Sequence, residues 1–224
     1  MLNNWKLTIH MIAPISEKPP MLEALLMWEL SRRLGLCKED LTRDTLLCDV
    51  RELGIPICKK TISGIDVFQC SNPIYKAEYE YHEHQAKRFE CDKMALLLDP
   101  QERKTLLVAS GPYKMRFAPV RTMLIPKVVY FFRGDKYEVN KLLKGVSFIG
   151  KLRNIGYGRI SHFEFEQTEQ NLSIFADDDS GYQVLMRTIP LVDDKTIKGA
   201  FESYGACRPP YWHPDNYMEV LEPC

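Results

Sequence analysis

The chain has 224 residues, and its 30 Lys and Arg balance 30 Asp and Glu, which excludes the strongly basic, tail-driven kind of nucleic-acid binder as a description of the whole chain. A hydrophobic fraction of 45% with 11% aromatic residues excludes a disordered chain and suits one elaborated domain or two small ones. The charge is segregated: residues 1–103 hold 14 basic and 16 acidic side chains, residues 104–160 hold 12 and 2 (Asp135 and Glu138), and residues 161–224 hold 4 and 12, so a focused positive surface is available whatever the total.

Residues 5–12, WKLTIHMI, place Trp5, Leu7, Ile9 and Met11 on one side of a strand. Pro14 ends that run, and Pro19–Pro20 opens a helix whose Leu22, Leu25, Leu26, Leu30 and Leu34 recur at core-packing spacing, with Gly35 as its stop. Residues 36–75 are less regular, with one or two strands around a turn at Ser63–Gly64. The segment YKAEYEYHEHQAKRF then alternates aromatic and charged residues and reads as an exposed ribbon. LLLDPQERKTLLV and SGPYKMRFAPVRTMLIP, punctuated by Pro100, Gly111, Pro112, Pro119 and Pro126, complete an insertion with its own hairpins. KVVYFFRG (127–134) has high β-propensity. Asp135 caps a helix carrying Val139, Leu142 and Leu143 inward, stopped at Gly145; VSFIG is a short strand; and RISHFEFEQ is a strand with Ile160, His162 or Phe163, and Phe165 in alternation. Two strand–helix–strand halves, the first interrupted by the insertion, imply an α+β, ferredoxin-like core.

The loop between the last two strands carries the strongest chemistry. Gly150, Gly156 and Gly158 permit positive φ and close approach to a ligand, and successive N–H groups in such a turn cradle phosphate oxygens. Lys151, Arg153 and Arg159 add charge, Asn154 adds a polar group, and Tyr157 offers a ring for stacking on a base. The order of a nucleotide-binding P-loop is absent, and the loop enters a strand where a dinucleotide fingerprint would enter a helix. A second basic-aromatic set, Tyr113, Lys114, Arg116, Phe117 and Arg121, lies in an acid-free stretch and suits a single-stranded RNA groove. His82 and His84, with Tyr79, Tyr81 and Lys87, form a competing candidate: a metal-free ribonuclease site, which needs an acid, a base and a cation. Asp177, Asp178 and Asp179 read as a solvated turn, because consecutive aspartates cannot all face one ion. Seven cysteines without a C-x-x-C pair read as reduced thiols. Cys58, Cys70, His82 and His84 match no compact zinc template, so no metal and no cofactor are expected. The start MLNNWKLTIHM has no secretory pattern and no apolar run approaches the ~18–20 residues of a membrane span, so a cytoplasmic protein is expected.

FIGKLRNIGYGRISHFEFE resembles the glycine-rich loop and last strand of the RAMP superfamily of CRISPR-associated proteins. With KLTIHMIAPIS followed by PPMLEALLMWEL, the later LMRTIPL and the tail RPPYWH, the chain resembles the Cas-five-like subunit of type IV CRISPR effector complexes. The resemblance implies one RAMP-type domain over residues 1–224. Within it, a β-hairpin thumb is inserted at about 76–126, the strand–helix–strand unit spans about 127–167, and a C-terminal extension spans about 185–224. It implies a non-catalytic subunit that caps the repeat-derived 5′ handle of crRNA. Its partners would be Cas-seven-like backbone subunits and, as a further candidate, a large subunit, with target DNA met indirectly and no membrane. Gly150, Lys151, Arg153, Asn154, Gly156, Tyr157, Gly158 and Arg159 correspond to the glycine-loop RNA contacts, and Tyr113, Lys114, Arg116 and Arg121 to the thumb. Arg208, Tyr211, Trp212 and His213 either contact RNA or lock the tail on the core. The alternative is a metal-independent endoribonuclease that processes precursor crRNA.

Overall fold

The structure, a computed structural model, describes residues 2–35, 54–87, 116–178, 180–194 and 196–224. Strand β1 (Asn3–Met11) leads into helix α1 (Leu22–Arg33). The short strands β2 (Lys59–Ile62), β3 (Ile65–Phe68) and β4 (Ile74–Tyr75) follow, then a long ribbon of β5 (Tyr79–Lys87) and β6 (Arg116–Leu124). Next come β7 (Lys127–Gly134), α2 (Lys136–Leu143) and β8 (Ile160–Thr168). The remainder holds β9 (Phe175–Asp177), β10 (Gln183–Leu185), β11 (Ile189–Pro190), β12 (Ile197–Lys198), β13 (Ala200–Ala206) and β14 (Tyr217–Pro223).

The central sheet has the order β4-β7-β1-β8 with every neighbouring pair antiparallel. Its inner face follows from a period of two. Leu7 and Ile9 are fully buried and oppose Tyr130 and Val128 on β7, and Phe165 and Phe163 on β8. Thus Phe163 takes the inward place and His162 points outward, its ring stacked on His10 with centroids 4.2 Å apart. Leu22, Leu25 and Leu26 of α1 and Val139, Leu142 and Leu143 of α2 close the same core. Each such side chain contributes about 1.5–3 kcal/mol by leaving water. Leu34 does not join the stripe. It is the C-cap of α1, 61% exposed, and Gly35 turns the chain away at φ +70°.

A capping aspartate and a buried carboxylate fix the helices. Asp135 accepts hydrogen bonds from the amides of Tyr137 (2.8 Å) and Glu138 (3.2 Å) at the start of α2. Glu29 on α1 is fully buried, and Arg32 and Arg33 each donate to it at 2.8 Å. Arg33 also donates to the carbonyls of Lys141 (2.8 Å) and Leu142 (3.3 Å), tying α1 to the end of α2. The Arg32 hydrogen bond, with help from Arg33 and against burial, holds the Glu29 carboxyl below its ordinary pKa. A depressed folded-state pKa means stability that is full above the unfolded carboxylate value and lost as pH falls through the folded one. Glu29→Gln is therefore expected to cost about 2 kcal/mol at neutral pH. It should also flatten the acid limb of stability, as read from urea midpoints down to about pH 3.

The segment after β8 forms two small sheets, β12-β10-β9 and β11-β14-β13. Ile174, Leu185, Ile189 and Leu221 fill the space between them. The β2–β3 hairpin, turned through Ser63 (φ 48°) and Gly64 (φ 76°) as expected, packs Val67 on Cys207 and Val220. Two elements differ from expectation. VSFIG makes one isolated bridge, Phe148 to Arg159, in place of a strand. Pro119, read as punctuation, lies inside β6 opposite His84, a position a two-stranded ribbon tolerates because its outer edge needs no N–H partner there. LLLDPQERKTLLV lies outside the described residues.

Candidate nucleic-acid interface

Backbone hydrogen bonds stitch the glycine loop to the segment between β1 and α1. The Gly158 amide donates to Pro14 O (2.7 Å), the Ile149 amide to Gly158 O (2.9 Å) and the Ile12 amide to Arg159 O (3.0 Å). Ser16 Oγ donates to Lys151 O at 3.1 Å. Ile15 in turn exchanges amide bonds of 2.9 and 2.8 Å with Met123 of β6, so the ribbon joins the same assembly. The loop itself is one 3-10 turn, Arg153–Ile155, between residues of positive φ: Gly150 (80°), Leu152 (58°), Gly156 (100°) and Gly158 (68°). Gly158 is required twice over, because a Cβ there would also overlap the carbonyl oxygen of Ile149, whereas one on Gly156 would meet open space. Gly158→Ala is expected to cost clearly more than the ~1–2 kcal/mol of left-handed strain that Gly156→Ala incurs. Paired urea titrations of the two variants check that order.

The side chains that this backbone presents are partnered. Lys151 Nζ lies 2.5 Å from Glu17 Oε1. The Arg153 guanidinium sits 4.5 Å over the Trp28 ring. The Tyr157 hydroxyl donates to Glu83 on β5, which docks the loop against the ribbon; burial first, and Glu83 second, raise its pKa. Arg121 on β6 makes a two-point contact with Glu80 of β5, at 2.5 and 2.9 Å, and those hydrogen bonds hold the Glu80 carboxyl below its ordinary pKa. Asn154 and Arg159 are exposed. A cleft of about 600 Å³ runs between these parts, lined by Ser16, Glu17, Lys18, Pro119, Val120, Arg121, Lys151 and Leu152.

The cleft thus brings together Lys151 and Arg121, which are far apart in sequence, and adds Lys18 and Glu17, which carried no motif. Arg116 begins β6 opposite Lys87, and Tyr113 and Lys114 lie outside the described residues. On the ribbon, register puts His82 and His84 on one face with Arg121 and Pro119. His84 stacks on Phe117 with centroids 4.9 Å apart. Tyr79 and Tyr81 fall on the opposite face, with Glu83, so the residues weighed for RNA cleavage are divided between two sides.

In the tail, Arg208 Nε donates to Asn216 Oδ1 at 3.1 Å, and His213 is buried, its Nδ1 accepting from the Asp215 amide at 3.2 Å. The Tyr211 hydroxyl donates to Glu23 and accepts from Arg187 Nη2 at 3.0 Å. Tyr211 thus ties the tail to α1, whereas Arg208 and His213 bond within the tail and Trp212 is 60% exposed. Among the described residues no three His, Cys, Asp or Glu side chains gather as a cation would require, and no helix is long and apolar enough to cross a membrane.

The family model described as CRISPR type IV associated protein Csf3 matches residues 4–223. No curated protein matches the chain.

Proposed function

Since the chain belongs to the Csf3 family of type IV CRISPR-associated proteins, we propose that it is the non-catalytic RNA-binding subunit of the effector ribonucleoprotein, which binds and caps the 5′ handle of crRNA. The observation that carries this reading is the convergence of Lys18, Arg121 and Lys151 on one cleft, with the glycine loop forming one wall. Arg153 and Arg159 continue the basic strip along that loop, and all of it but Lys18 falls in the one segment, residues 104–160, that holds 12 basic side chains and only 2 acidic ones. Such a strip tracks a phosphate backbone.

The sheet order β4-β7-β1-β8, with both helices contributing to one core, supports a ferredoxin-like RAMP core. The β5–β6 ribbon, inserted ahead of β7, is our candidate for the thumb that presses on RNA and on a neighbouring Cas-seven-like subunit.

The test is a binding titration of the full-length protein with labelled handle RNA and with a scrambled RNA of the same length, repeated over a range of salt. The handle is expected to bind at least ~10-fold tighter, with a log–log salt slope of about −0.7 for each phosphate engaged. Equal affinity for both RNAs would remove the handle assignment. Cleavage of a repeat RNA in EDTA, lost in His82→Ala or His84→Ala, would favour the endoribonuclease instead.

A further inference from the structure

Two buried ion-pair sets and two exposed pairs at the cleft stand in contrast among the described residues. Glu23–Arg187 is fully buried, and Glu29 is buried beneath Arg32 and Arg33; these hold elements together. The pairs at the cleft are different. Lys151 and Glu17 keep 71% and 46% of their side-chain surface in water, and Arg121 and Glu80 keep 51% and 42%. Neither pair is needed to anchor its element. The glycine loop is fixed by backbone bonds to Pro14 and Ile12, and β5–β6 by a nine-residue ladder. What these carboxylates do is neutralise two of the cations that line the cleft.

Their geometry is that of a bound anion. Glu80 takes Arg121 through Nε and Nη2 together, the fork by which a guanidinium also takes a phosphate. Glu17 sits against the Lys151 ammonium from within the cleft wall. We propose that Glu17 and Glu80 are resident competitors of phosphate: in the RNA-free protein they occupy Lys151 and Arg121, and RNA enters the cleft only by displacing both. This rests on the RNA-binding reading of the site. A phosphate approaching either cation meets a neutralised charge and a repelling carboxylate, so loose, purely electrostatic association is weakened at the place where the chain is most basic. Contacts to bases are untouched by this competition and remain to distinguish the cognate strand.

The experiment uses the full-length protein, a uridine oligomer as generic RNA and the handle RNA, with Glu17→Gln, Glu80→Gln and the double variant. All are exposed, isosteric changes, and a thermal melt confirms that the fold is kept. Each freed cation adds one phosphate contact. The expected gain for the uridine oligomer is therefore about fivefold per substitution and about 25-fold for the pair at about 0.1 M salt, with the salt slope steeper by about 0.7 per substitution. In a Lys151→Met background Glu17→Gln should gain less than about twofold, and in an Arg121→Met background so should Glu80→Gln, because the competed cation is gone. Glu166→Gln, which frees Lys6 on the sheet (2.8 Å,), supplies the same charge change away from the cleft and should also gain little. Unchanged or weakened affinity in the double variant, or equal gains in the Met backgrounds or with Glu166→Gln, would overturn the competitor role while handle binding stands. Failure of the wild-type protein to bind either RNA would overturn the RNA reading and this inference with it.

Discussion

Replacing Lys151, Arg153 and Arg159 together with alanine is expected to lower the affinity for handle RNA about 100-fold at about 0.1 M salt. It should also make the salt slope shallower by about 2, since each phosphate contact to a single strand contributes about 0.7. The loss arises at the surface and not in the fold. Lys151 is tied to Ser16 through its carbonyl, which alanine keeps, and Arg159 through its carbonyl to Ile12. Arg153 gives up its place over Trp28, a half-exposed cation–π contact worth about 0.5–1 kcal/mol, so the melting temperature should fall by only about 1–4 °C. Anisotropy titrations at several salt concentrations beside a thermal melt separate the two effects. An affinity within about threefold of wild type, with the fold intact, would mean that RNA does not run along this loop.

How much of this was legible in the sequence depends on the range of the interaction. Strand β7 and helix α2 could be read residue by residue, because Asp135 caps α2 two and three residues away and the alternation in KVVYFFRG is local, whereas VSFIG, read as a strand, makes only one bridge. The β2–β3 turn was equally plain, since Ser63–Gly64 meets the demand for two positive φ values in adjacent residues. The pairing of β5 with β6 was not legible. Its partners, such as His82 and Arg121, lie some forty residues apart, and Pro119 disguises the second strand. The glycine loop was found as a loop, but nothing in the string GKLRNIGYG shows that Glu17 and Glu83 reach it from other elements. Tyr157, read for its ring alone, also donates its hydroxyl to Glu83. Leu34 obeyed the helical spacing and still lies in water, because spacing does not tell where the helix ends.

Arg187 is the largest such surprise, and it makes the second strong prediction. It sits in LMRTIPL, in a segment whose charge is net acidic, and the sequence assigned it no role, yet its side chain and that of Glu23 are both 0% exposed. Nη1 donates to Cys70 O at 2.8 Å, and Nη2 reaches Glu23 Oε1 at 2.5 Å, Cys207 O at 3.0 Å and Tyr211 Oη at 3.0 Å. One guanidinium therefore joins α1, the segment after β3, the start of the tail and the RPPYWH stretch. Burial opposes its charge, but Glu23 and the hydrogen bonds outweigh burial and raise its pKa above the ordinary arginine value, so it stays charged at any practical pH.

Arg187→Met leaves Glu23 buried without its counter-ion and two carbonyls without a donor, which is expected to cost about 3–5 kcal/mol. For a chain of this size that is roughly 6–20 °C in melting temperature. Among the described residues Glu23 Oε2 and Arg187 Nε already have no hydrogen-bond partner, so the network is incompletely satisfied even in the native protein. It follows that Glu23→Met combined with Arg187→Met should recover most of the loss, because the uncompensated charge disappears with its partner. Tyr211→Phe, which removes one neutral donor, should cost only about 1 kcal/mol. Urea unfolding of the four variants measures the coupling directly. If the double variant were as unstable as the sum of its two singles, charge compensation would not be what Arg187 contributes. Its hydrogen bonds to Cys70 and Cys207 would then supply most of its stabilisation. Either way the proposed RNA cleft, built from Ser16, Lys151 and Arg121, shares no hydrogen bond with this network among the described residues. Handle affinity measured well below the lowered melting temperature should therefore stay within about twofold of wild type.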